Sequence, residues 1–308
     1  MTPPSPQPSH QTKVPASAIV LFGSLLASTS VLWIRSLPPM SPLMVGFVRA
    51  AGAALVLMPW FIAHVRRDKP ALRDFRYSAL AGVALGLHFG AWIASLAYTT
   101  VAQSVLLVTI HPLFIIVISV FLLRRSVARN QVLGAVIATA GIVIIQLLAG
   151  GEAMAAFPGA RPALGNLLAL SGGFFAAIYF LLGQAARRSL RTVPHVVVAF
   201  AFAAVTLYLL AMLSGDTDLP TSGRAWMFLA LLVLLPTVGG HTLFNWGIRH
   251  IGAPMVSLMG LLEPVGAAGL ALLFLGEPLG WATLLGGAVI LAGLGMALGG
   301  GRGRGSSS

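Results

Sequence analysis

The sequence predicts an all-α integral membrane protein with ten transmembrane helices arranged as two inverted five-helix repeats. Three observations carry that expectation. The 308-residue chain is 57% hydrophobic and only 8% charged, with a mean hydropathy of +0.93, whereas soluble domains run near one quarter charged. Apolar stretches recur at the ~20-residue length that crosses ~30 Å of hydrocarbon as a helix. A shift of 152 residues then lays the second half of the chain on the first. The alternation of a lipid-facing strand is absent, which excludes a membrane barrel.

Taken in order, the spans are 16–35, 43–64, 77–98, 101–123, 131–149, 163–186, 194–213, 225–248, 253–275 and 280–299. They divide the chain into a polar, Pro-rich arm (1–15), a first repeat (16–149), a linker (150–162), a second repeat (163–299) and a Gly/Arg/Ser tail (300–308). Arm and tail are expected to be disordered, and the arm lacks the charged-then-apolar pattern of a signal peptide. The net charge of +12 comes from basic residues concentrated in alternate loops. With both termini inside, fifteen of the 19 basic residues are cytoplasmic, three (Arg35, Arg161, Arg224) are external and Arg49 lies within a span. That bias places both termini in the cytoplasm and the linker outside. It also reads the charge as an orientation signal, with no nucleic-acid partner. The expected location is the inner membrane of a bacterium. There are no cysteines, so disulfides and thiolate chemistry are excluded.

In the 152-residue alignment Pro112 meets Pro264, His111 meets Glu263, Gly134 meets Gly286, Gly141 meets Gly293 and Trp92 meets Phe244. Five helices is an odd number, so the second copy enters the membrane from the opposite side. Inverted repeats typify secondary transporters, which bind solute near mid-membrane between the halves and alternate between outward- and inward-open states.

The second copy, "SLMGLLEPVGAAGLALLFLGEPLGWATLLGGAVILAGLGM", and the second span, "LMVGFVRAAGAALVL", resemble the EamA-type proteins of the drug/metabolite transporter superfamily. The resemblance covers about 16–299. The first copy departs from the pattern, with His111 before Pro112 and Arg125 where the second copy has Glu277. Within the superfamily, the third span "GLHFGAWIASLAY" is similar to that of bacterial aromatic amino acid exporters. The resemblance implies a ten-helix inner-membrane exporter of metabolites.

Several residues are candidates for a substrate cavity. In the third span, Gly82, Gly86 and Gly90 form a small-residue stripe for helix contact, and His88, Trp92 and Ser95 occupy other faces. An imidazole in a span is expected to line a polar cavity; the alternative is a bond to a neighbouring carbonyl. His111 precedes Pro112, which frees the Val108 carbonyl; the pair either opens the helix to the cavity or serves packing alone. Ser28 and Trp33 in the first span, and Phe175 and Tyr179 in the sixth, are cavity candidates by symmetry. In the eighth span, His241 and Asn245 lie one turn apart; Asn245 is assigned to the cavity, and His241 to a cytoplasmic gate or a helix cap.

Glu263, before Pro264, is the one acid deep within a span. A buried carboxylate requires a partner or a proton. Arg49, about 12 Å down its own span against about 18 Å for Glu263 at 1.5 Å per residue, is the expected partner, in an ion pair or a hydrogen-bond network that braces the outer half. The alternative is a proton held on Glu263 and exchanged in coupling.

The sequence contains no phosphate-binding loop and no HExxH or comparable metal-ligand cluster, so neither cofactor nor metal is expected. An enzyme built on His88, His111 and Glu263 would lack a nucleophile to unite them. The leading expectation is therefore a non-enzymatic exporter of small metabolites, foremost aromatic or apolar amino acids. The alternative is an exporter of amphiphilic cations or drugs attracted by Glu263. Its partners are the solute and the bilayer, and oligomeric state is left open.

Overall fold

A computed structural model describes residues 15–99, 101–155, 161–275 and 281–299. The arm up to residue 14, part of the linker (156–160) and the tail 300–308 lie outside the described residues. Among those described, all regular structure is helical. Seven helices are long and apolar enough to cross a membrane, and shorter apolar helices cover Arg129–Ile144, Leu262–Phe274 and Leu284–Leu298. We number the segments α1 (Ala16–Arg35), α2 (Pro42–Asp68), α3 (Arg76–Ser95), α4 (101–122), α5 (Arg129–Ala155), α6 (Pro162–Ala186), α7 (Thr192–Ser214), α8 (223–251), α9 (253–275) and α10 (Trp281–Gly299). The α8–α9 junction turns at Gly252, whose φ of 80° and ψ of 158° suit only a residue without Cβ. Helix α5 continues to Ala155, six residues past the expected end of its span.

Helices α4 and α9 are both interrupted near mid-length. The first stops at Val108 and resumes at His111; the second stops at Gly260 and resumes at Leu262. Proline causes both breaks, since Pro112 and Pro264 cannot donate to the carbonyl one turn back and their rings crowd it. A five-residue π-helical stretch follows each break, Ile118–Leu122 and Ala271–Leu275. A third π segment, Val233–His241, surrounds Pro236 in α8. Its counterpart under the 152-residue shift, 81–89 in α3, is regular α-helix.

Helix contacts occur in pairs that exchange under the same shift. α1 packs on α8 as α6 packs on α3; α3 packs on α7 as α8 packs on α2; α4 packs on α6 as α9 packs on α1. Extensive contacts also join equivalent helices, α2 with α7 and α5 with α10. In the α5–α10 pair, a Cβ on Gly134 would lie 2.6 Å from the Gly293 carbonyl, and one on Gly141 2.6 Å from the Gly286 carbonyl. Those two approaches are each other's image in the repeat alignment. Gly82 and Gly86 likewise admit the backbone of α7 at Ala199 and Ala203. Without a strong hydrophobic drive between helices in lipid, such close backbone packing is a main source of association. Outward faces carry Leu55, Leu80, Phe121, Leu147 and Leu213, all exposed, as a lipid-facing surface requires.

The short α6–α7 connection is held by Arg187. Its guanidinium donates to the Leu190 carbonyl and, at 2.6 Å, to Thr192 Oγ1. Burial, and secondarily the nearby Arg249, lowers this group to about 10, leaving it cationic at neutral pH. Arg191 in the same turn pairs with Asp68 at 2.9 Å, tying α7 to the end of α2.

Replacing Gly293 by Val forces Cβ against the Ala138 amide nitrogen and the Gly134 carbonyl, both 2.6 Å away. Overpacking against backbone costs about 1–3 kcal/mol or more. The G293V protein is expected to show a lowered Tm in detergent, whereas Gly295→Ala, with open space around it, leaves Tm unchanged.

Candidate functional site

The organising residue is Arg49, on α2 and 1% exposed. One turn along, Gly52 lets Val233 of α8 approach to 2.7 Å of where a Cβ would stand. Four residues after Val233, Thr237 falls in the π segment and its hydroxyl reaches the guanidinium. Arg49 Nε donates to Thr237 Oγ1 at 2.7 Å, and that hydroxyl donates onward to the Leu232 carbonyl at 2.8 Å. Arg49 Nη2 lies 3.2 Å from His241 Nε2. The Phe89 ring on α3 faces the guanidinium, 4.0 Å from Cζ to the ring centroid, an attractive cation–π geometry. Nη1 alone has no partner.

These contacts set the tautomer of His241. A guanidinium can only donate, so Nε2 accepts and the proton of the neutral ring sits on Nδ1. Nδ1 is buried and unpartnered.

Arg49 and His241 form one wall of a cavity lined also by Ser28, Val31, Phe89 and Trp92, and by His88, His111, Phe180, Phe244 and Glu263. Residues of both sequence halves contribute. Its volume is about 60 Å³, room for a few waters and well below the roughly 300–1,000 Å³ of small-molecule pockets. The walls must part for a solute of amino-acid size to enter.

His88 lines the cavity and also bonds a carbonyl. Its Nδ1–H donates to the Gly172 carbonyl of α6 at 2.9 Å, and its ring stacks near-parallel with Trp92 at 6.3 Å. His111 behaves similarly. Its Nδ1–H donates at 3.2 Å to Val108, the carbonyl that Pro112 frees, and its ring stacks on Phe180 at 5.4 Å. His111 Nε2 is left as a buried acceptor without a partner. Across the cavity, Glu263 belongs to α9; its Oε1 and His111 Nε2 both lie within 4 Å of the point where a Cβ on Gly260 would stand.

The expected Arg49–Glu263 ion pair is not formed. Among the described residues no carboxylate oxygen lies within 4.0 Å of an Arg49 nitrogen, and no hydrogen bond reaches Glu263. The reason is local: the π segment offers Thr237 and His241 to the guanidinium from α8. His241 therefore stands in the cavity wall.

Other candidates fall elsewhere. Ser95 bonds Ser104 Oγ and the Trp92 carbonyl, packing α3 on α4. Trp33 has a buried, unpartnered indole N–H but does not line the cavity. Phe175 stacks edgewise on Phe174 outside it.

Asn245 and Tyr179 join a buried network that the sequence did not single out. Asn245 Nδ2 donates to Tyr179 Oη and to the His241 carbonyl; its Oδ1 accepts from His195 Nε2 at 3.0 Å. Ser78 Oγ donates to His195 Nδ1 at 2.9 Å. Ser78, Tyr179, His195 and Asn245 come from α3, α6, α7 and α8, each within about two turns of the same end of the bundle. At that end Gln184 also accepts from the Ala253 amide at 3.0 Å. The missed signal was "TVPHVVV": a histidine four residues into an apolar helix has no place facing lipid.

No group of three metal-ligating side chains occurs among the described residues.

The model of the EamA-like transporter family matches twice, over residues 15–147 and 163–299. The chain belongs to that family. Each match covers one of the halves related by the 152-residue shift. An uncharacterized transporter of Archaeoglobus fulgidus is 26% identical over 278 residues, covering 90% of this chain and 94% of that protein. The uncharacterized transporter YyaM of Bacillus subtilis is 20% identical over 219 residues, 70% of each chain. A solved crystal structure superposes with a TM-score of 0.74 at 20% identity, covering 94% of this chain and 98% of that one; that likeness concerns the fold. This EamA-like protein is accordingly a multi-pass membrane transporter, and the two relatives above are named transporters.

The Asn245 network predicts an order of stabilities. Removing the Asn245 amide leaves Tyr179 Oη and His195 Nε2 without partners, each buried orphan costing about 1–3 kcal/mol. Asn245→Leu is expected to lower Tm by several degrees more than Tyr179→Phe, which removes one hydroxyl. Equal losses in thermal melts would show that the four residues do not act as a unit.

Proposed function

We propose that this transporter exports small metabolites, foremost aromatic or apolar amino acids, across a bacterial inner membrane by alternating access of two inverted five-helix repeats. The single observation that carries the reading is the cavity. It lies between the sequence halves, beside helices broken at equivalent prolines, and its wall sets the rings of Phe89, Trp92, Phe180 and Phe244 among small apolar side chains and convergent polar groups. Broken helices near mid-membrane and paired contacts that exchange between repeats support the rocking of one half against the other. Aromatic walls suit a solute with an apolar body, and the third-span likeness to the aromatic amino acid exporter YddG points the same way.

In this reading all ten helical segments cross the membrane and both termini are cytoplasmic. The basic loops of the sequence support that orientation. The Ser78–His195–Asn245–Tyr179 network then forms the closed inner gate, and the contracted cavity corresponds to an occluded state. Export needs no ATP site; the solute gradient, or a proton exchanged at Glu263, His88 or His111, supplies the drive.

Labelled phenylalanine counterflow in proteoliposomes tests the proposal. Uptake above empty vesicles is expected, and Trp92→Ala is expected to reduce it about tenfold or more, as loss of an aromatic pocket wall costs roughly 1–3 kcal/mol. Absence of counterflow in vesicles that move a lipophilic cation would overturn it.

One observation favours the second reading, export of amphiphilic cations: Glu263 lines the cavity without a partner. Glu263→Gln separates the two. Cation efflux through the variant would collapse to background, whereas an amino acid exporter, still holding the solute through Arg49, would recover phenylalanine counterflow at raised substrate concentration.

A further inference from the structure

Arg49 is held as few buried cations are. Thr237 fixes Nε, His241 fixes Nη2 and Phe89 covers one face. Three contacts from two neighbouring helices set the guanidinium plane, leaving Nη1 without a partner on a side chain that is 1% exposed and lines the cavity. A group that served bracing alone would be expected to have its donors satisfied, because an orphaned charged donor in a low-dielectric interior is costly.

The same cavity holds the complementary charge. Glu263 lines it from α9, with neither ion pair nor hydrogen bond among the described residues. The two charges are therefore separated within one cavity and not neutralised by direct contact. Between them the remaining wall is largely aromatic and apolar, and the flanking histidines His88 and His111 have Nδ1 committed to backbone carbonyls.

A guanidinium with an unpartnered donor and an unpaired carboxyl group, lining one small cavity beside aromatic rings, match one ligand class. We infer that this site reads a zwitterion: the α-carboxylate of an amino acid docks on Arg49 Nη1, its α-ammonium on the Glu263 carboxylate, and its side chain against the aromatic wall. The inference rests on the proposed export of amino acids and deepens it, assigning Arg49 and Glu263 to solute binding and Thr237 and His241 to positioning Arg49. A solute with both charges is neutral overall, so its loading leaves the net charge of the cavity unchanged. A monoanion would leave Glu263 uncompensated, and a monocation would leave Arg49 so.

Ligand-induced shifts in thermal stability of the full-length protein in lipid nanodiscs decide the matter. Two series serve as probes: phenylalanine, phenethylamine and 3-phenylpropionate, then leucine, isoamylamine and 4-methylpentanoate. Wild type is expected to be stabilised by the zwitterion of a series at concentrations about ten- to hundredfold below those needed for its amine or carboxylate, each lost charge-assisted bond being worth about that factor. Arg49→Gln is expected to bind zwitterion and amine alike; Glu263→Gln is expected to bind zwitterion and carboxylate alike. Arg49→Lys keeps the charge but not the position of Nη1, and is expected to recover only part of the preference.

Wild type that binds an amine or a carboxylate as tightly as the matching zwitterion overturns the inference, whether or not the variants fold. So does the absence of binding in both series. A zwitterion preference seen with leucine but not phenylalanine keeps the inference and rejects the aromatic reading of the solute. A preference retained in both Gln variants assigns the two charges to structure and overturns it.

Discussion

A guanidinium buried among apolar helices cannot be hydrated by the bilayer, so the protein must answer it. That requirement organises the centre of this molecule. Arg49 needs acceptors at mid-depth, where the backbone carbonyls of an intact helix are already engaged. The chain supplies them by opening α8 into a π segment, which presents the Thr237 hydroxyl and places His241 one turn further on. Gly52 removes the bulk that would hold α8 away. Phe89 then closes the remaining face. Three helices are fixed relative to one another by a single side chain.

The prolines impose a related constraint from the backbone side. Pro112 and Pro264 each strip a carbonyl of its partner at a depth where no lipid group can replace it. The first is answered by His111, which folds its Nδ1–H back onto Val108. At the equivalent place in the second half stands Glu263, which has no proton donor to give when ionised and faces the cavity instead. One position in two copies thus carries a donor that repairs the backbone and a carboxyl group that lines the cavity.

Much of this was legible in the chain. The seven long spans follow from apolar length, and the Gly82/Gly86 stripe follows from small residues at helical spacing. The breaks follow from proline. What the sequence hid were relations that depend on rotation about a helix axis. Thr237 reads as an unremarkable polar residue in an apolar helix, and only the π segment turns it towards Arg49. His195 sits near a helix start, where a histidine commonly faces headgroups; here α7 is pressed so closely on α3 that the ring is fully buried against Ser78 and Asn245. The expected Arg49–Glu263 pair had the right depth but neglected the acceptors that α8 brings nearer. Trp33 and Phe175 were placed by repeat symmetry, which holds for backbones better than for individual side chains.

The π segment of α8 has no counterpart in α3, and this bears on energy as well as shape. In a duplicated carrier with perfect internal symmetry, exchanging the conformations of the halves would give two states of equal free energy, and the empty protein would divide its time evenly between the two sides of the membrane. Under the alternating access proposed above, nine residues wound differently in one half would remove that degeneracy, and α8 between Val233 and His241 would help to set which side the unloaded molecule prefers.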